Sequence, residues 1–149
     1  MHKLTIYDAS GKNVLGKVTQ KKCRNKKRPL ARFFEKEFIL EMNGTELGSM
    51  TSHVSLGLKK FNFTFNNWSV YGDIFKLNFR LMNKLETIMS VKKKALTIGD
   101  TYHVDIYRSE NELLCVLILL AIDSSLTSKH IDNKRAFRRR TRKFIPFIR

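Results

Sequence analysis

The sequence predicts an all-β domain: an antiparallel barrel plugged by one apolar C-terminal helix. Three observations predict it. Apolar and polar side chains alternate with a period of two over most of the chain, turn chemistry falls between the alternating stretches, and residues 113–122 form a ten-residue apolar run unlike anything before it. The chain has 149 residues, enough for one domain, and at 42% hydrophobic it can bury a core.

The elements follow in order. Leu4 and Ile6 alternate with polar neighbours, Asp8-Ala-Ser-Gly11 turns the chain, and Val14, Gly16 and Val18 alternate in return. Phe38, Leu40 and Met42 form the next stretch and end at Asn43-Gly44. That pair is the strongest hairpin signal here, because both central positions of a type I′ turn want positive φ. Phe61, Phe63 and Phe65 alternate up to Asn66-Asn67; Leu77, Phe79 and Leu81 run to a reversal at Asn83-Lys84; Tyr102, Val104 and Ile106 follow a turn at Gly99-Asp100. Each such stretch reads as a strand with one buried and one wet face. Three of the hairpins resemble one another: 4–18, 38–50 and 77–89. Repetition of one unit and chance similarity between amphipathic hairpins both account for this.

The rhythm then changes. Ser109-Glu-Asn-Glu112 has the spacing of a capping box, placed directly before the apolar run. A buried strand would also read as unbroken apolar sequence, but the box and the leucine content favour a helix. A helix apolar on every side must be surrounded on every side, and some ten strands each have one apolar face to offer. The economical arrangement is a sheet curled around the helix. The predicted organisation is therefore a barrel over residues 1–126, its helix at about 109–126, and a basic tail at 127–149.

Lys plus Arg number 29 against 13 Asp plus Glu, a net charge of +16. This excess predicts an anionic partner: nucleic acid, an acidic membrane or an acidic protein. The charge is concentrated. Lys21, Lys22, Arg24, Lys26, Lys27 and Arg28 place six cations in eight residues, and the tail carries nine, including Arg138, Arg139, Arg140, Arg142 and Lys143. So many like charges repel one another in the bare protein and are most at home against phosphates. In the tail, Phe144, Ile145, Phe147 and Ile148 are interleaved with cations. Arginines with apolar neighbours suit an interfacial membrane anchor. They also suit a nucleic-acid arm that stacks its rings on bases, or a tail that folds back so that its phenylalanines cover one end of the barrel.

Catalytic and metal chemistry find little support. The chain lacks the Gly-x-Ser-x-Gly, P-loop, dinucleotide-binding and His-Glu-x-x-His patterns. Asp100, His103 and Asp105 form the one tight acid–histidine cluster, but His103 and Asp105 fall on the wet face of an alternating strand, so a solvated face is the better reading. Gly72-Asp73 and Gly99-Asp100 read as turn residues, Gly for positive φ and Asp for bonding the turn backbone. No cofactor is predicted, and Cys23 has no base or oxyanion donor in view. Cys23 and Cys115 lie in unlike surroundings, so a disulfide is not expected and a reducing cytosol fits. The N-terminus has no apolar core of a secretory signal. As a helix, the apolar run would span about 15 Å against about 30 Å of bilayer hydrocarbon.

Trp68-Ser-Val-Tyr-Gly72-Asp73-Ile-Phe-Lys-Leu-Asn-Phe79, Val91-Lys-Lys-Lys94 and Gly99-Asp100-Thr-Tyr102-His-Val-Asp105-Ile106, followed by the apolar run closing on Asp123, resemble the LURP-one-related family. The resemblance covers roughly residues 4–123. It implies the fold of the tubby C-terminal domains, a closed antiparallel barrel of about twelve strands around a central apolar helix. The segment at 17–36 is far more basic than the family pattern, and the tail beyond Asp123 lies outside it. Tubby domains bind phosphoinositide headgroups through surface basic residues, but those positions do not map onto this sequence, so the resemblance implies the fold and no site. Together these readings predict a non-enzymatic cytoplasmic protein that associates peripherally with anionic phospholipid headgroups at the inner face of the membrane. Nucleic acid and an acidic protein are the alternative partners.

Overall fold

The computed structural model describes residues 3–21, 35–55, 58–93 and 102–126. These residues form nine strands and one α-helix: β1 (Lys3–Tyr7), β2 (Val14–Lys21), β3 (Lys36–Met42), β4 (Thr45–Ser55), β5 (Leu58–Phe63), β6 (Trp68–Asp73), β7 (Asn78–Asn83), β8 (Glu86–Lys93), β9 (Tyr102–Ile106) and α1 (Glu112–Leu126). The strands form two antiparallel meanders, β1-β2-β3-β4-β5 and β6-β7-β8-β9. Each sheet presents apolar side chains on one face, and the two faces share a single core with the helix. Val18, Phe38, Leu40, Met50 and Phe61 come from the first sheet and Phe79, Leu81, Met89 and Val91 from the second. Cys115, Leu117, Ile118, Ala121 and Ile122 come from α1.

The turns follow their chemistry. Asn43 and Gly44 both take positive φ, 50° and 80°, as the tight hairpin requires. At the first turn, the Asp8 carboxylate accepts from the Ser10 hydroxyl at 2.7 Å and the Asn13 amide at 2.6 Å. These bonds hold its pKa down at about 2. Gly72 takes φ 121°, and Asp73 accepts from the backbone N–H of Lys76 at 3.0 Å. The turn reading of that pair therefore holds. The matching pair at Gly99 lies outside the described residues.

Two local expectations are corrected. The reversal expected at Asn83-Lys84 sits one residue later. Lys84 takes φ 53°, and Leu85 is 96% exposed in the turn rather than opening a strand. A bulge between Leu81 and Met82 absorbs the extra residue. The Ser109 box does not close: a 3₁₀ turn at Ser109–Asn111 leads into α1 with no side-chain cap hydrogen bond, and the backbone N–H of Glu112 donates to the Ser109 carbonyl instead.

The apolar run is a helix, and no residue of α1 is exposed. It packs against β2, β3 and β4, with Gly16 of β2 in close approach. A Cβ at Gly16 would lie 2.9 Å and 3.1 Å from the two Leu117 methyls, so only glycine lets the strand approach so closely. Among the described residues, no helix is long and apolar enough to cross a membrane.

Candidate functional site

Of the basic residues singled out by sequence, Lys21 alone is among the described residues. It is exposed at the end of β2, with its ammonium 3.5 Å from the Glu37 carboxylate. Lys22, Arg24, Lys26, Lys27 and Arg28, the tail residues Arg138, Arg139, Arg140, Arg142 and Lys143, and the apolar Phe144, Ile145, Phe147 and Ile148 lie outside them. The points where these segments attach are described. Residues 22–34 join Lys21 at the end of β2 to Glu35 just before β3, and residues 127–149 continue from Leu126 at the end of α1.

These attachment points lie together. The Lys36 ammonium, at the start of β3, donates to the carbonyl of Ser125 at 2.8 Å, and the Lys59 ammonium on β5 donates to the same oxygen at 2.7 Å. Lysines reach this carbonyl because the last turn of a helix leaves C=O groups without intrahelical partners and carries about half a negative charge. The bonds fix the C-terminus of α1 against the end of the first sheet at which residues 22–34 attach. Half-buried and partly desolvated, Lys36 has its pKa lowered from the usual lysine value.

The charge distribution sharpens the point. Residues 22–34 carry six Lys or Arg and no acid; residues 127–149 carry nine, opposed by Asp132 alone. Fourteen of the sixteen net positive charges therefore belong to two segments that attach at one end of the molecule. The remainder of the chain is close to neutral.

The outer face of the second sheet holds the acid–histidine pair. His103 Nε2 lies 2.9 Å from one Asp105 oxygen, and the Ser90 hydroxyl donates to the other at 3.3 Å. The carboxylate stands between serine and imidazole, so the imidazole cannot take the serine proton, and the three do not form a nucleophilic relay. Among the described residues, no three His, Cys, Asp or Glu lie close enough to hold a metal ion. A shallow groove of about 710 Å³ crosses the same face, lined by Tyr71, Arg80, Lys92 and Tyr107 among others. Cys115 is a free thiol in the core, and burial pushes its pKa up to about 12.

The family model for LURP-one-related proteins matches residues 1–123. The chain belongs to the LURP-one-related family. A relative described as "Uncharacterized protein YxjI", from Bacillus subtilis (strain 168), is 32% identical over 89 residues, which is 60% of this chain and 55% of that protein. The chain thus spans about half the length of the curated relative it matches. No solved structure matches it. The family match ends at 123, so the basic tail falls beyond it, whereas the basic residues 22–34 lie within the matched span.

Proposed function

We propose that this protein is a non-enzymatic binding protein that associates peripherally with anionic phospholipid headgroups at the inner face of a membrane. One observation carries the reading: nearly all the net positive charge resides in two segments attached at one end of a close-to-neutral body. Two basic segments that attach close together can reach a single anionic surface together, which segments attached at opposite ends could do less readily. Each Lys or Arg near an anionic membrane contributes on the order of 1 kcal/mol, so the two segments acting together give salt-sensitive binding. Phe144, Ile145, Phe147 and Ile148 add an apolar component suited to the headgroup boundary. The finer architecture belongs to the same proposal: a closed barrel of about twelve strands around α1. The absence of any exposed residue on α1 supports it.

The test is binding to anionic vesicles, neutral vesicles and random-sequence duplex DNA over a salt series. Membrane association predicts preference for anionic vesicles. It also predicts a salt-resistant remainder that disappears when Phe144, Ile145, Phe147 and Ile148 become Ser. DNA binding tighter than vesicle binding at every salt concentration would replace the membrane reading with a nucleic-acid one. Binding to neither would favour an acidic protein partner.

A further inference from the structure

The outer face of the second sheet combines exposed rings with cations that the fold leaves unused. Val70, Phe79, Leu81, Val91 and Ile106 turn inward to the core. Side chains alternate along a strand, so their neighbours Tyr71, Arg80, Lys92 and Tyr107 turn outward. All four are exposed, and all four line the groove of about 710 Å³. The cations project from the inner strands β7 and β8, the rings from the flanking β6 and the end of β9. Tyr71 stands directly opposite Arg80. Arg80 is a diagonal neighbour of Lys92, through the pairs Arg80–Ser90 and Asn78–Lys92. Diagonal neighbours lie about 7–8 Å apart, within reach of long side chains. The backbone N–H of Tyr107 donates to the Ile88 carbonyl at 3.0 Å, which ties the end of β9 to β8. The strands that carry the rings are three spacings, about 14 Å, apart.

Arg80 and Lys92 make no ion pair and no side-chain hydrogen bond with the described residues, whereas Lys17, Lys76 and Arg108 all do. The two acids of this face are engaged elsewhere. Asp73 pairs with Lys76 at 3.4 Å. Asp105 is a diagonal neighbour of Lys92, but its carboxylate is held by His103 at 2.9 Å and by the Ser90 hydroxyl at 3.3 Å. Tyr71 and Tyr107 are 56% and 60% exposed, and tyrosines left outside a core are characteristic of interfaces.

The arrangement asks for a ligand that alternates negative charge with flat apolar surface. A single nucleic-acid strand is such a chain: its phosphates accept from Arg and Lys, and every base has a π-face to stack. Four-stranded sheets that expose aromatic side chains stack two or three bases of a strand in this manner. A duplex keeps its bases stacked on one another and offers the rings little. A small molecule needs most of its surface enclosed, which a shallow groove does not provide. A lipid boundary calls for a continuous apolar patch, and here cations separate the rings.

We propose that the outer face of the second sheet binds single-stranded nucleic acid, with bases stacked on Tyr71 and Tyr107 and the phosphates between them held by Arg80 and Lys92. The basic segments at 22–34 and 127–149 add an attraction that any polyanion shares. The face reads bases and those segments read charge, so the site stands whether or not they meet a membrane.

The experiment is fluorescence anisotropy of the full chain with three labelled probes over a salt series: a short oligothymidylate, an abasic strand of the same length and charge, and a duplex with the same number of phosphates. The oligothymidylate should bind about tenfold or more tighter than the abasic strand, as base stacking implies. Tyr71→Ala and Tyr107→Ala should each weaken it about tenfold and leave the abasic strand unaffected, while Tyr71→Phe and Tyr107→Phe keep the affinity. Arg80→Gln and Lys92→Gln should each lower the salt slope by about 0.7, the value for one phosphate contact on a single strand. Tyr7→Ala, at an exposed tyrosine of β1, serves as control and should change nothing. All these side chains are exposed, so the variants keep the fold, which far-UV circular dichroism checks. Equal binding of oligothymidylate and abasic strand, indifference to both alanine changes, or preference for the duplex would assign binding to the basic segments and overturn the site. Phosphatidylserine vesicles complete the set. Vesicle binding that falls with Tyr71→Ala and Tyr107→Ala, without base-dependent strand binding, would make the face a lipid contact and overturn the nucleic-acid assignment. Base-dependent strand binding without vesicle binding keeps the face and removes the membrane reading.

Discussion

Gly16 and Leu117 offer a direct measure of how closely α1 is held by the first sheet. Leu117 is fully buried, and Leu117→Ala is expected to cost about 2–5 kcal/mol through lost burial and the cavity left behind. Gly16→Ala acts in the opposite sense. Its new Cβ would sit 2.9 Å and 3.1 Å from the Leu117 methyls and 3.3 Å from the Glu41 carbonyl oxygen. Carbon pairs prefer about 3.5–4.0 Å, and the buried leucine has little room to withdraw, so overpacking should cost about 1–3 kcal/mol. Together the changes relieve each other: Leu117→Ala removes the methyls that the new Cβ on β2 would strike, and that Cβ refills part of the cavity. The double variant should therefore be more stable than the sum of the single changes by about 1–3 kcal/mol. The assay is urea unfolding, followed by the fluorescence of Trp68, the chain's single tryptophan, and by far-UV circular dichroism. Trp68 lies on the second sheet and packs against the common core, so coincident transitions also establish that sheets and helix unfold as one unit. Changes that add within about 0.5 kcal/mol would refute the close approach of α1 to β2.

Two further outcomes follow from titrating groups. With Cys23 replaced by Ser, the Cys115 thiol, its pKa pushed up to about 12 by burial, should not react with a disulfide reagent at pH 8 until denaturant opens the core; rapid native reaction would place it outside the core. Asp8 has a folded pKa of about 2 against an ordinary 3.8, so its support of the first turn is fully present above pH 3.8 and is lost as pH falls through about 2. Amide resonances of Lys12 and Asn13 should shift over that window in the native chain and lose the transition in Asp8→Asn; an unchanged transition would assign the effect to another carboxylate.

Much of the architecture is legible because a strand with one buried face writes its structure into every second residue. Phe38 and Leu40, or Phe79 and Leu81, need no tertiary information, and neither does an apolar helix with no wet side. The misplacements have local causes. Leu85 reads as the start of a strand because nothing in its own identity reveals that Lys84 adopts positive φ and that a bulge shifts the register. Ile39 breaks the alternation outright: it is 7% exposed on the face opposite Phe38 and Leu40. The inward-facing polar residues of the first sheet are not legible at all. Ser52 and Gln20 sit in polar stretches where solvent exposure is the natural reading, and only the ladder register turns them toward the core. Lys36 and Lys59 meet Ser125 across 89 and 66 positions of sequence, a distance no local pattern spans.

The separation of charge from fold has a physical logic. A net charge of +16 distributed over strand faces would set like charges beside one another at cross-strand distances, where each pair weakens the sheet. On the ladders, cations meet acids: Lys17 pairs with Glu41 at 3.3 Å, Lys21 with Glu37, and Arg108 at the end of the second sheet bonds Glu86 at 2.6 Å. The surplus belongs instead to the segments that follow the end of β2 and the end of α1. The two lysines that do enter the core side are drawn to a helix C-terminus, which supplies the partial negative charge that the strands lack. Those two segments carry fourteen of the net positive charges, and the rest of the chain is itself slightly basic, with no surplus of acid to offset them. That excess of charge is the ground on which the proposal of an anionic partner rests.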